Sequence, residues 1–237
     1  MANKDRLRIN RYGTIINSKS KHEDKMCIQV IDRLVLEISE KFACKIVWEK
    51  RIKLIDIITK LSDIYKNVDF CELETEDSFM TPDGGITFLV DKYNIYYPIL
   101  IFEVKNQGTN DLRLQEGKTI QAKGNAVERL GKNVIGFRPY MLDEAIFPFV
   151  CFGDGCDFEK GSSILDRVKT IAMFGNLNKD YTSNIGVNGI FNRGSYYFRD
   201  EKWTYEEMYK IVSDVAERSV YYYFSKYGKE NFEVKNG

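Results

Sequence analysis

Three charged side chains, Asp83, Glu103 and Lys105, fall where one two-stranded hairpin would bring them together. Asp83 heads the apolar run 86–90, Glu103 follows Ile99-Leu100-Ile101-Phe102, and their midpoint is residue 93, inside a predicted turn over 91–94. Antiparallel pairing about that turn sets the two carboxylates side by side. Glu103 and Lys105, two apart on one strand, project to the same face. Two adjacent carboxylates repel unless a cation sits between them. Hard oxygen ligands suit Mg²⁺, which binds through one or two carboxylates, water and substrate phosphate oxygen. The carbonyl of Val104 offers a further oxygen. Lys105 is placed to orient or deprotonate a metal-activated water, or to stabilise a pentavalent phosphate. This is a site for metal-dependent phosphodiester hydrolysis. It needs no histidine, and the chain has one, His22, which excludes every mechanism that requires two.

The tripeptide Asp/Glu-x-Lys is weak on its own, because it recurs at Glu23–Lys25, Asp200–Lys202 and Glu233–Lys235. Those copies lie in polar stretches. Glu103 instead ends an apolar run, where an acid costs free energy unless it is paired. The plain structural alternative is a Glu–Lys surface pair at a strand end, and Pro82-Asp83 at hairpin distance argues against it.

The elements around the hairpin are mixed. Apolar residues at 28, 30, 31, 34, 35, 38 and 42 have helical spacing. A short strand is predicted over 43–48, a helix over 52–65, and a strand or loop over 69–73. The turn Thr81-Pro82-Asp83-Gly84-Gly85 leads into strands over 86–90 and 95–105. Residues 106–124 read as a loop, with a helix starting near Asn125. A β run over 147–152, a helix over 163–174, aromatic strands within 175–200 and a helix over 203–223 complete the chain. The predicted fold is α/β, a single domain over 1–237 with a central mixed β-sheet flanked by helices. Within it, 1–25 is a basic N-terminal arm, 81–105 the catalytic hairpin and 106–135 a recognition segment.

The chain has 35 Lys+Arg and 35 Asp+Glu, so net charge gives no argument for a polyanionic partner. Basic surface must come from segregation. Residues 1–25 hold seven Lys/Arg against three Asp/Glu, which reads equally as a frayed terminus or as a phosphate-contacting arm. Residues 113–138 hold six against two, either a solvated loop or phosphate contacts. The N-terminus lacks the apolar core of a signal peptide, and no run approaches a membrane span. Cys27, Cys44, Cys71, Cys151 and Cys156 fit no zinc spacing and read as reduced thiols of a cytoplasmic protein.

Pro82-Asp83 with Glu103-Val104-Lys105 resembles the PD-(D/E)xK nuclease pattern. TPDGGI at 81–86, FEVKNQG at 102–108, GNAVERLGKN at 124–133, FPFV at 147–150 and LDR at 165–167 narrow it. Their order and spacing are similar to those of EcoRI-type type II restriction endonucleases, from about residue 80 to 220. The resemblance implies a restriction-endonuclease-like core with Asp83, Glu103 and Lys105 catalytic and Asp83 and Glu103 on Mg²⁺. It further implies a homodimer on double-stranded DNA and a cognate DNA methyltransferase in the cell, with no membrane partner. GNAVER is its specific part. By itself, Asn125 with Glu128 also reads as a capping box, yet Arg129 on a first helical turn opposes the helix dipole. Asn and Arg read adenine and guanine edges. The resemblance implies that Asn125 and Arg129 meet adenines, Ala126 a thymine methyl, and that Glu128 orders the arginine. It also implies DNA contacts from Gln107, Lys123 and Arg167.

GNAxER is shared by enzymes of this type that read a central AATT cut with 5′ overhangs. Arg167 and Ala122 favour GAATTC, and Ile164 in place of a second arginine counts against it. Lys123 could meet a guanine in another register, as in CAATTG, and a bare AATT is the further alternative. Three positions depart from the family pattern. Asn106 stands for a histidine, Thr81 for a lysine, and Ile164 for a second late arginine. The competing readings are another PD-(D/E)xK nuclease, of repair or junction type, and a non-catalytic DNA-binding protein. GNAVER argues against the first and the intact acid pair and lysine against the second.

Overall fold

The computed structural model describes residues 16–106, 117, 125–186, 189 and 191–233. Its centre is a five-stranded sheet in the order β1-β4-β5-β6-β7. The strands are β1 (Lys45–Glu49), β4 (Gly85–Val90), β5 (Tyr96–Asn106), β6 (Phe149–Asp154) and β7 (Ser195–Arg199). The β1–β4 and β4–β5 pairs are antiparallel, and β5–β6 and β6–β7 are parallel. The sheet is therefore mixed, as the sequence predicts. Two short strands, β2 (Ile52–Lys53) and β3 (Phe79–Met80), pair separately.

Every residue of β4 and of β6 is buried. Strands buried on both faces need cover on both sides. One layer is α1 (Ile16–Phe42) with α5 (Tyr205–Tyr227); the other groups α2 (Leu54–Ile64), α3 (Asn125–Tyr140) and α4 (Ser163–Ile171). In α1 the buried stripe is Cys27, Val30, Ile31, Leu34, Ile38 and Phe42, whereas Ile28 is exposed. α1 also begins earlier than its apolar spacing shows, so the expected arm over 1–25 gives residues 16–25 to helix.

Helix ends follow local chemistry. Thr204 and Glu207 form a reciprocal capping box before α5, and Gly228 ends it at φ 85°. Ser162 caps α4 by accepting from the N–H of Ile164. α4 stops short of the predicted 174, because Met173 and Phe174 take left-handed φ of 48° and 63°. The β run predicted over 147–152 is shifted to Phe149–Asp154. Phe147 bonds to Thr182 O instead, and Pro148 has no N–H, although its oxygen accepts from Ile101 N at 2.8 Å. No strand forms over 69–73. Among the described residues, no helix is long and apolar enough to cross a membrane.

Candidate active site

The hairpin closes at Asp91, which accepts from Tyr93 N and Ile95 N, each at 2.8 Å. Counting back, Gly85 pairs with Phe102 and Ile86 with Ile101. The register shifts between Thr87 and Phe88, opposite Pro98, which has no ladder donor. Asp83 does not open β4 as expected but lies two residues before it, in a turn closed by Gly85 N on Pro82 O at 3.0 Å. That turn requires both glycines. Gly85 has φ 76°, and a Cβ there would strike Trp48; one on Gly84 would strike the ring of Phe102. Trp48 Nε1 donates to Gly84 O at 2.9 Å and pins the turn against β1.

The three predicted residues do meet. The backbone N–H of Asp83 donates to Glu103 Oε2 at 3.0 Å. Lys105 Nζ donates to Asp83 Oδ2 at 2.8 Å and pairs closely with Glu103 Oε1. It also donates to Val104 O at 3.2 Å. A fourth residue joins them: Asn133, on α3, donates from Nδ2 to Glu103 Oε1 at 3.0 Å. The side chain of Glu103 is 1% exposed and that of Lys105 13%, but that of Asp83 is 41%, so the site opens to solvent on the Asp83 side.

Burial raises the Glu103 carboxyl pKa; Lys105 opposes this and Asp83 adds to it. Burial also works against a charged Lys105, but Glu103 and Asp83 outweigh it and hold its pKa above the ordinary value. Cys151, opposite Glu103 in the β5–β6 register, is fully buried and its thiol is pushed up. Such a thiol is inert. Among the described residues no three His, Cys, Asp or Glu side chains form a metal cage. Asp83 and Glu103 supply two carboxylates with positive charge already held between them and one side open. That donor set suits a cation that keeps its waters, as Mg²⁺ does, and not a closed structural site.

The other expected contacts are spread along α3 and α4. Asn125 and Ala126 are the first two residues of α3; Glu128 and Arg129 are exposed on its first turns. The helix includes Asn125 itself, whereas an N-cap residue stands just outside. Arg167 is exposed on α4, and Ile164 is buried at 1% exposure, so the chain has no arginine at that second place and packs the position into the core. Gln107 and Lys123 lie outside the described residues. Asn133 is the last residue of the GNAVERLGKN segment but has no role assigned there; its further sequence signal is a position four residues after Arg129, on the same side of a helix.

A mixed sheet carrying an acid from a turn, then Glu-x-Lys on the next strand, defines a PD-(D/E)xK nuclease-like core. The profile of the family described as "Restriction endonuclease EcoRI" matches residues 11–164. The chain belongs to the EcoRI restriction endonuclease family. It is 31% identical over 181 residues to "Type II restriction enzyme RsrI" of Cereibacter sphaeroides, covering 62% of this chain and 65% of that protein. It is 26% identical over 201 residues to "Type II restriction enzyme EcoRI" of Escherichia coli, covering 68% of this chain and 72% of that protein. The chain thus spans a little under two thirds of the first relative's length.

Proposed function

We propose that the protein is a type II restriction endonuclease that hydrolyses double-stranded DNA at a palindrome with a central AATT, leaving 5′ overhangs. The observation that carries this reading is the contact of Asp83, Glu103 and Lys105 at the end of a buried strand. Asp83 and Glu103 are the residues that would hold Mg²⁺. When bound, the ion polarises a phosphoryl oxygen and lowers the pKa of water. Glu103, fixed by the Asp83 N–H, keeps its oxygen directed into the site. Lys105, held charged, serves as a fixed positive charge toward the phosphate and the attacking water, and not as a base. The turn around Gly84 and Gly85 leaves Asp83 open to the backbone of an incoming strand.

Specificity on this reading comes from the start of α3. Asn125 and Arg129 read adenines, Ala126 a thymine methyl and Glu128 orders Arg129; Gln107, Lys123 and Arg167 add contacts. Arg167 and Ala122 favour GAATTC over CAATTG or bare AATT, while Ile164 in place of a second arginine counts against it. A palindrome cut on both strands needs two copies of the site, hence a homodimer. Exposed apolar surface beside the groove between α3 and α4 supports this, since Ile135 is 74% and Leu142 49% exposed. Plasmid DNA incubated with the protein in Mg²⁺ should give discrete fragments, and none in EDTA or with Asp83→Ala. Undiminished cutting by Asp83→Ala would overturn the reading.

A further inference from the structure

Glu103 is held by three groups, and two of them come from its own hairpin: the Asp83 N–H and the Lys105 ammonium. The third, the Asn133 amide, is the one partner of this carboxylate that another element contributes among the described residues. That element is α3, whose first turns carry the proposed base-reading residues. We infer that Asn133 is a positioning residue that couples base reading at the start of α3 to the placement of the Glu103 carboxylate, so that a wrong base is felt at the reacting phosphate. The inference rests on the nuclease reading above and adds a specificity role for a residue that reading does not use.

The helix is built to transmit a small displacement. Asn133 lies four residues after Arg129 and eight after Asn125, a span of roughly 12 Å along a helix axis. Val127, Leu130, Val134 and Phe137 are all buried under the same helix. Phe137 packs its ring 6.4 Å from that of Phe149 on β6, and Gly136 is closed against Met80. A helix packed along its length shifts as a unit. When its first turn is not seated on the correct bases, the Asn133 amide is displaced from Oε1. A misplacement of about 1 Å in a reacting constellation costs on the order of 100-fold in rate.

A purely structural amide, present only to satisfy a buried carboxylate, would slow all substrates alike. The test therefore uses the full chain with Asn133→Ala, Asn133→Asp and Asn133→Gln. Three quantities are measured: the Kd for cognate DNA in EDTA, single-turnover cleavage of the cognate site with Mg²⁺, and the same for a site with one central base changed. Thermal melting confirms folding, and Asp, which matches Asn in shape, keeps the test valid if Ala fails to fold. For Asn133→Ala the expected result is a Kd within about threefold of wild type and cognate cleavage slower by roughly 100-fold. Cleavage of the altered site falls much less, so the preference shrinks by about tenfold or more. Asp is at least as slow as Ala, and Gln restores part of the rate. Equal slowing on both sites, an unchanged rate, or lost cognate affinity overturns the inference while wild-type cleavage leaves the nuclease reading intact. No cleavage by the wild type with Mg²⁺ overturns both.

Discussion

The backbone N–H of Asp83 donates to Oε2 of Glu103 at 3.0 Å, so the two acids are joined through the main chain as well as through Lys105. This contact orients a carboxylate that burial pushes toward its neutral form. A group whose folded pKa is raised binds protons more readily folded than unfolded. Stability then falls as pH rises from the ordinary carboxyl value toward the raised one.

Glu103→Gln removes that titration while Lys105 keeps Asp83 as partner. Its melting temperature at neutral pH should match or exceed that of the wild type, with a shallower pH dependence over that window. Cleavage should fall by about a thousandfold or more, as loss of several kcal/mol at the transition state implies. Calorimetry across pH checks this; a large loss of stability at neutral pH would contradict it.

Binding and hydrolysis should separate. Lys105→Ala should hold cognate DNA as tightly as wild type and cleave at least about 100-fold more slowly, because its charge acts on the transition state. Arg129→Ala should lose roughly 1–3 kcal/mol of cognate affinity, the worth of a bidentate base contact. Gel shifts showing the reverse pattern would invert the two roles.

The turn that presents Asp83 should not tolerate a side chain. Gly85→Ala imposes φ 76° on alanine and drives its methyl into Trp48. A loss of about 1–3 kcal/mol in stability is expected, together with slower cleavage. Urea titration and single-turnover rates read both, and a variant unchanged in each would show that the turn has slack.

Away from the site, Glu207 binds Arg199 at both oxygens and the cap of α5, and its carboxyl is held down at about 2. A depressed carboxyl stabilises above its unfolded pKa and loses that contribution as pH falls through its folded one. Glu207→Gln should therefore cost about 0.5–2 kcal/mol at pH 7, a cap-sized effect given the partial exposure of the group. The difference from wild type should shrink between about pH 4.5 and pH 2. A difference constant across that range would contradict it.

The hairpin was legible because two continuous apolar runs flank a polar turn, which sets their register almost unaided; only the shift opposite Pro98 moved it. The acid pair was legible because Glu103 ends an apolar run. Other features depend on the folded chain. The early start of α1 lies in a polar stretch with no apolar stripe to announce it. The end of α4 is set by backbone φ at Met173 and Phe174, residues that carry no turn signal. Asn133 meets Glu103 across 30 positions of sequence, and no local pattern marks that contact.

The central claim is that GNAVER reads AATT for a metal-dependent cut, and sequencing the ends of fragments made from a random-sequence library tests it most directly. With Mg²⁺, both strands should end in four-base 5′ overhangs of AATT type, flanked most often by G and C, and no ends should appear in EDTA. Blunt ends, cutting in EDTA, or a centre other than AATT would contradict the account.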